Sequence, residues 1–229
     1  MACGQTSPSA DSTDRVAAAM QRIGPGLRAQ LETWGATLGS PIFMRAFKKE
    51  QQLQLWMQQD SVSAYRLFKT YPICYVPGTL GPKRKEGDLQ VPEGVYEIDV
   101  FNPKSSYHLS MRVNYPNAAD LHFADPEKPG GEIYIHGNCV SVGCLPLGDE
   151  AIEEVYLIAQ AARQAGQEAI AVHIFPCVMT DQALEKISSE YPAHRFFWQN
   201  LQTVYDYFEQ QRVLPKVTVS DEGRYRLQQ

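Results

Sequence analysis

The chain has 229 residues, 44% of them hydrophobic, and a formal net charge of −5. That length and apolar content exclude a disordered chain and suit one domain with additions, or two small ones. The acidic balance argues against nucleic acid as the main partner, and no run of about eighteen apolar residues exists to span a membrane as a helix.

Residues 1–12 read as a disordered tail. They lack the charged start and apolar middle of a secretion signal. Met1-Ala2-Cys3-Gly4-Gln5 and the polar residues after it are similar to the region around the lipidated cysteine of a bacterial lipoprotein, which predicts a cell-envelope location with a lipid anchor at Cys3. An accidental cysteine in a flexible tail is the competing reading. Residues 13–40 form an N-terminal helical segment: Val16 to Trp34 read as short helices broken at Gly24-Pro25-Gly26, with Met20, Ile23, Leu27 and Leu31 facing inward.

From residue 41 the pattern turns to strands. Ile42–Phe47 is the first. Leu53, Leu55 and Met57 alternate in the second, and residues 64–70 give the third after a polar turn, so an antiparallel meander is expected. Gly78 to Gly94 is Gly-, Pro- and Lys-rich and reads as loop. Val95–Ile98 and Tyr107–Val113 are further strands, and residues 114–131 a long polar loop. After a strand at 132–136 comes the motif discussed below. Asp149 is a candidate N-cap for a helix that Gly166 ends, and Ala169–Phe175 is a hydrophobic strand. The remainder, 179–229, reads as a helical extension. In it Phe196, Phe197, Leu201, Val204, Tyr205 and Phe208 form a core stripe, with a partner-binding groove as the less favoured reading.

The stretch from His136 to Cys144 carries the chemistry. One imidazole and one thiol stand eight positions apart on a strand–loop–helix connection, the local setting of a cysteine nucleophile and its base. An ordinary thiol with a pKa of about 8.5 is mostly protonated at neutral pH, so a neighbouring base is needed, and His136 is at hand. Gly143 lets backbone approach a substrate without a Cβ in the way. The N–H groups around Gly143 and Cys144 could face an oxyanion. Ser141 could hydrogen-bond the loop or the substrate, and the carbonyl of Gly137 could fix the imidazole tautomer.

Other readings of the same residues stay open. The chain has five cysteines, an odd number, and no C-x-x-C pair. His136, Cys139, Cys144 and His173 could ligate zinc, although H-x2-C-x4-C matches no common structural site. A Cys139–Cys144 disulfide would remove the nucleophile, and an inert buried cysteine pair is the plainest alternative.

Several blocks in order make the chain resemble the L,D-transpeptidase catalytic-domain family, with its YkuD-type fold, and within it the YafK-like branch. These are Phe68 through Cys74; Gly81-Pro82-Lys83 through Asp88; Pro92 through Tyr96; Tyr107 through Ser110; Asn114 through Asn117; His136 through Cys144; and His173 through Pro176. The resemblance implies an α+β fold: a mostly β catalytic domain, sandwich- or barrel-like, over 41–178, with N- and C-terminal helices. It implies a cell-envelope, periplasmic enzyme acting on peptidoglycan stem peptides, with no cofactor and no metal. Cys144 would attack the carbonyl of a diamino acid such as diaminopimelate to form a thioester, with His136 as base and Ser141 and Gly143 as motif positions. An amine or water then resolves the thioester.

One departure bears on that choice. The wider family reads Ser-His-Gly-Cys at the nucleophile, whereas Val142 stands here at the second His position, and the loop from His136 is shorter. The YafK-like branch shares both features and is associated with hydrolytic release of an outer-membrane lipoprotein from peptidoglycan. The expectation is therefore hydrolysis, with cross-link formation as the rival and a non-catalytic peptidoglycan-binding module as the alternative from another class. Arg112, Tyr115, Asn117 and Asn138 are candidates for lining the substrate groove. Lys83 could meet substrate carboxylates, against the simpler reading of a solvated charge run.

Overall fold

Alternating apolar residues build the centre of the molecule. A computed structural model describes residues 12–60 and 62–228. The expected tail and its Cys3 lipid anchor lie outside the described residues, apart from Ser12, which opens a helix. Strands β1 (Ile42–Phe47), β2 (Gln52–Met57) and β3 (Arg66–Pro72) form the expected antiparallel meander. They continue into β4 (Gly94–Asn102), β5 (Ser110–Val113), β6 (Ile133–His136), the two-residue β7 (Leu145–Pro146) and β8 (Ile170–Phe175). The eight strands form one mixed sheet in the order β3-β2-β1-β8-β4-β5-β6-β7, with β1–β8 and β6–β7 the parallel pairs.

Period-two alternation gives the central strands two buried faces. Ile42, Met44 and Ala46 of β1, with Ile170, Val172 and Ile174 of β8, join a core that includes Leu27, Leu31, Ile152 and Val155. These last belong to α1 (Ser12–Trp34) and α3 (Asp149–Gln164). Phe47 and Phe175, on the other face, pack with Trp198, Leu201 and Val204 of α5 (Arg195–Gln211) and with Leu184 and Ile187 of α4 (Asp181–Glu190). The chain is thus α+β, with helices at both ends clamping a sheet-built domain.

Several local expectations are corrected. The N-terminal helix is continuous through Pro25. Pro25 costs the hydrogen bond its N–H would make to the Gln21 carbonyl, but Ala19, Leu27 and Leu31 are buried along the helix, and tertiary packing of an apolar face overrides a local breaker. The 114–131 loop contains α2 (Ala118–Phe123), opened by a capping box between Asn117 and Asp120. Gly148, not Asp149, is the N-cap of α3. Gly166 does end it: with φ of 105°, it donates to the Arg163 carbonyl while Gln167 donates to that of Ala162, a Schellman closure.

The C-terminal region is not all helical. After α5 the chain forms a hairpin of β9 (Lys216–Val219) and β10 (Tyr225–Gln228). The α5 stripe is also phased differently from the expectation. Leu201, Val204, Tyr205 and Phe208 are buried, but Trp198 is the fully buried anchor while Phe196 is 81% exposed. Trp198 donates its indole N–H to Glu93 at 2.7 Å. Glu93 also pairs with the fully buried Lys48 at 2.9 Å, and the Lys48 ammonium caps the carbonyls of Gly81 and Val91. Both charges are paired and hydrogen-bonded, the condition under which buried ions are tolerated. The network ties α5, the 78–94 loop and the end of β1 together.

Candidate active site

The edge of the sheet positions the motif. His136 ends β6, and β7 runs parallel beside that strand with Leu145 opposite Ile135 and Pro146 opposite His136, so the segment between is an excursion that returns to its own strand. Cys144 immediately precedes β7. Its Sγ accepts the backbone N–H of Tyr134 at 3.4 Å and its S–H points to the Glu132 carbonyl at 3.6 Å. Tyr134 and His136 are two positions apart on one strand and share a face. The thiol therefore lies alongside the residue about 7 Å before the imidazole. Both side chains line one cavity of about 340 Å³, together with Tyr107, Ser141 and Val142. No hydrogen bond joins thiol and imidazole among the described residues.

His136 is buried and makes one ring hydrogen bond, from Nδ1 to the Gly137 carbonyl at 2.5 Å. With Nδ1 donating, the neutral ring keeps Nε2 as its basic nitrogen. Burial lowers the imidazole pKa, and the Gly137 carbonyl acts the other way. Burial likewise raises the Cys144 thiol, opposed by the Tyr134 N–H and by the charge of Lys83. Both shifts favour a neutral thiol beside a neutral imidazole at rest, and an attack by this thiol would need the imidazole to take its proton.

Gly137 is glycine for a steric reason. A Cβ there would stand 2.6 Å from the Asp149 carboxylate and 2.7 Å from the Tyr107 carbonyl. Gly143 has φ of 152°, in the region glycine favours, and a Cβ would meet the Gln90 carbonyl at 3.2 Å. Ser141 organises the turn: its Oγ accepts the N–H groups of Gly143 at 3.1 Å and Cys144 at 2.7 Å, and donates to the Cys144 carbonyl at 2.9 Å. The two backbone donors expected for an oxyanion are thus occupied by Ser141 in this state.

The other predicted residues fall elsewhere. Asn138, with φ of 58°, donates its N–H to Asp149 at 2.7 Å and accepts the Cys139 N–H on its own Oδ1; it shapes the loop and does not line the cavity. Tyr115 is buried and donates its hydroxyl to the Pro129 carbonyl. Asn117 caps α2, and its Nδ2 donates to the Val95 carbonyl and the Tyr225 hydroxyl. Lys83 is buried and spends its ammonium on Asp88 at 2.6 Å and the Lys85 carbonyl. Arg112 pairs with Asp99 at 3.0 Å and reaches Glu132 at 3.5 Å; it touches the cavity rim only through that glutamate. None of these five residues lines the cavity, and each is engaged with a fixed partner.

The cysteines separate cleanly. Cys139 is bonded to Cys74, with Cα atoms 5.3 Å apart, while Cys144 is free. This pairing removes Cys139 from both the zinc set and the expected alternative of a Cys139–Cys144 disulfide. His173 lies fully buried against Phe43, well inside the sheet. Two residues escaped the sequence reading. Tyr107 stacks obliquely on His136 with ring centroids 4.8 Å apart, and nothing in the local pattern marks it. Tyr134 could have been found, since a strand puts residues i and i−2 on one face.

Comparison with known proteins bears on this geometry. Residues 43–172, more than half of the chain, match the YkuD L,D-transpeptidase catalytic domain. YafK of Escherichia coli K12, provisionally named an L,D-transpeptidase, is 36% identical over 190 residues, spanning 82% of this chain and 74% of that protein. Among solved structures, the helical cell shape determining protein Pgp2 from Campylobacter jejuni aligns over 85% of this chain and 80% of its own, with TM-score 0.46 and 18% identity. Bd1075 of Bdellovibrio bacteriovorus aligns over 74% and 62%, with TM-score 0.43 and 20% identity.

Proposed function

The chain belongs to the L,D-transpeptidase catalytic-domain family, and from that premise we propose that it is a cysteine-dependent hydrolase that frees a covalently attached outer-membrane lipoprotein from peptidoglycan. The family implies a peptidoglycan-modifying enzyme; the nucleophile, the bond and the choice of water are this reading's own. The observation that carries it is the free thiol of Cys144 sharing one cavity with His136, whose Nδ1 is engaged and whose Nε2 is left basic.

In the reaction, Nε2 of His136 takes the thiol proton as Sγ attacks the carbonyl carbon of diaminopimelate. The oxyanion forms as the Ser141 hydroxyl turns aside and releases the N–H groups of Gly143 and Cys144. The C–N bond then breaks, and the imidazolium gives its proton to the departing amine. Water attacks the thioester, again losing its proton to His136, and the thiolate leaves and is reprotonated. Water is favoured as acceptor because Val142, 75% exposed, stands where the wider family has an imidazole.

The test is digestion of purified peptidoglycan, with and without attached lipoprotein, followed by mass spectrometry. Intact lipoprotein and stem peptides ending in a free diaminopimelate carboxylate are expected. New cross-links would instead support the transpeptidase reading. No product, with Cys144 inert to an alkylating probe, would support a binding module. Membership of a bacterial cell-wall enzyme family supports the proposed periplasmic or envelope location.

A further inference from the structure

Away from the thiol, a second cavity of about 440 Å³ opens where the 78–94 loop, α2, α5 and the β9–β10 turn meet. Arg84 and Arg224 line it with the rings of Phe123, His194, Phe196 and Phe197, and no carboxylate lines it among the described residues. The Arg84 guanidinium lies 5.2 Å from the Phe123 ring centre and 5.5 Å from that of Phe197, held from behind by Asp120 at 3.6 Å. Nearby ion pairs join Arg226 to Glu222 and Arg195 to Glu185, and Arg224 makes no ion pair within 4 Å among the described residues, although Glu222 is close enough to feel its charge.

The cavity is built rather than incidental. The hairpin turn packs so closely on α2 that a Cβ at Gly223 would stand 2.8 Å from both His122 and Phe123. Asn200 brackets the backbone of Tyr225, donating to its carbonyl at 2.9 Å and accepting its N–H at 2.8 Å. Phe196 is 81% exposed beside this fixed frame, an apolar ring that packing does not explain.

The 78–94 loop lines the second cavity and also packs against the thiol motif. Lys83 is near enough to Cys144 to oppose the burial effect on the thiol, and the Gln90 carbonyl lies against Gly143. Arg84, the next residue after Lys83, serves the second cavity. One loop thus runs from beside the thiol to the second cavity, and a polymer that engages both would lie along it.

We propose that this second cavity binds the carboxylate of a peptidoglycan stem peptide other than the one presented to Cys144, anchoring the enzyme to the polymer. The proposal rests on the peptidoglycan reading above, though not on the hydrolytic step. Two guanidinium groups without an acidic lining match a carboxylate, which arginine recognises through paired N–H donors, and the aromatic rim accepts the aliphatic body of the peptide. Two contacts on one polymer raise the effective concentration of the second event to the millimolar range, so the gain falls on polymer and not on small fragments.

The test uses the full chain carrying Cys144→Ala, pelleted with purified insoluble peptidoglycan. Arg224→Glu should weaken retention about tenfold and Phe196→Ala about threefold; both side chains are exposed, so neither change threatens the fold. Amidating the peptidoglycan carboxylates should erase the difference between these proteins. With Cys144 intact, turnover of a short soluble stem peptide should stay within about twofold of the parent in both variants. Unchanged retention in both variants overturns the proposal. So does an Arg224→Glu effect seen only on vesicles of anionic phospholipid, which would assign the cavity to a membrane. Because retention is measured without the nucleophile, loss of the hydrolase reading would leave this result standing.

Discussion

Ser141 and Cys144 hold each other reciprocally: the serine Oγ accepts the cysteine N–H at 2.7 Å and donates to the cysteine carbonyl at 2.9 Å. The same oxygen takes the Gly143 N–H. One hydroxyl therefore sets the turn that aims the proposed nucleophile and occupies the donors an oxyanion would use. Two consequences oppose each other, since removing it would free the donors but loosen the turn. Each bond contributes about 1 kcal/mol net, and a tenfold rate change needs about 1.4 kcal/mol, so loss of aim outweighs earlier release. Ser141→Ala should lower kcat by roughly ten- to a hundredfold with little change in KM. Ser141→Thr should restore part of it. Steady-state kinetics on a soluble stem peptide reads both.

The disulfide makes the cysteines distinguishable. Cys144→Ala should abolish turnover and leave thermal stability close to the parent. Cys139→Ala should keep substantial activity but lose stability, because Cys74–Cys139 closes a sequence separation of 65 residues. Chain entropy alone assigns such a closure about 4 kcal/mol. Thermal melts and rates on both variants decide the matter. Equal loss of activity in the two would remove the nucleophile assignment from Cys144.

His136 gives a pH signature. Burial lowers its pKa and raises that of the thiol, so the base form is already present at neutral pH while the thiol is protonated. The parent rate should rise through a pKa below the usual histidine value and then stay level through neutrality. His136→Ala should cost roughly two to four orders of magnitude and gain rate only as pH climbs toward the raised thiol pKa. A profile of the variant parallel to the parent would take His136 out of the base role.

His173 predicts the acid limit of the fold. Burial, reinforced by the neighbouring Arg45 charge, lowers its pKa to about 3. The folded value is depressed below the unfolded one, so the neutral ring's contribution is fully present above about pH 6.5 and is lost as pH falls toward 3. The loss over that window is roughly 5 kcal/mol. Denaturant titrations of His173→Phe should show a flatter acid slope than the parent. An unchanged slope would mean another group controls acid unfolding.

How much of this was legible in the sequence depends on the range of the force involved. Leu53 and Leu55 alternate because one face of β2 is buried, so the meander was readable from period alone. The nine residues from His136 to Cys144 carried their own chemistry, and the Gly137 carbonyl and Ser141 hydroxyl sit where a short loop must put them. Pro25 misled because its breaker effect is local while the burial of Leu27 and Leu31 is tertiary. Trp198 stands three, seven and ten positions before Leu201, Tyr205 and Phe208, so helical period could have placed it in the stripe and left Phe196 out; its apolar cluster and its bond to Glu93 hold it there. Asn117 and Tyr115 looked like groove residues because they flank a polar loop. The Asn117-x-x-Asp120 spacing was the overlooked sign of a cap. The partner of Cys139 was out of reach, since pairing across 65 positions leaves no local mark.

The choice between water and an amine turns on the residues around the thiol. Val142 and Val140 are 75% and 56% exposed, and Val142 lines the same cavity as Cys144. An imidazole at position 142 could hold an incoming amine by a hydrogen bond and accept its proton; an isopropyl group can do neither. Water at about 55 M then competes well unless an amine is positioned, for which well-oriented groups reach effective molarities of roughly 10⁵ M or more. Ser141 holds the loop turn and Tyr134 donates its hydroxyl to Glu132, so neither of these two groups is free in this state to orient an amine. The acyl-enzyme should therefore partition to free diaminopimelate-ended stems, and added D-amino acid or a second stem peptide should alter the products little. Mass spectrometry of products across an acceptor titration measures this ratio. Efficient D-amino-acid exchange or new cross-links at modest acceptor concentration would reverse it and make the enzyme a transpeptidase despite Val142.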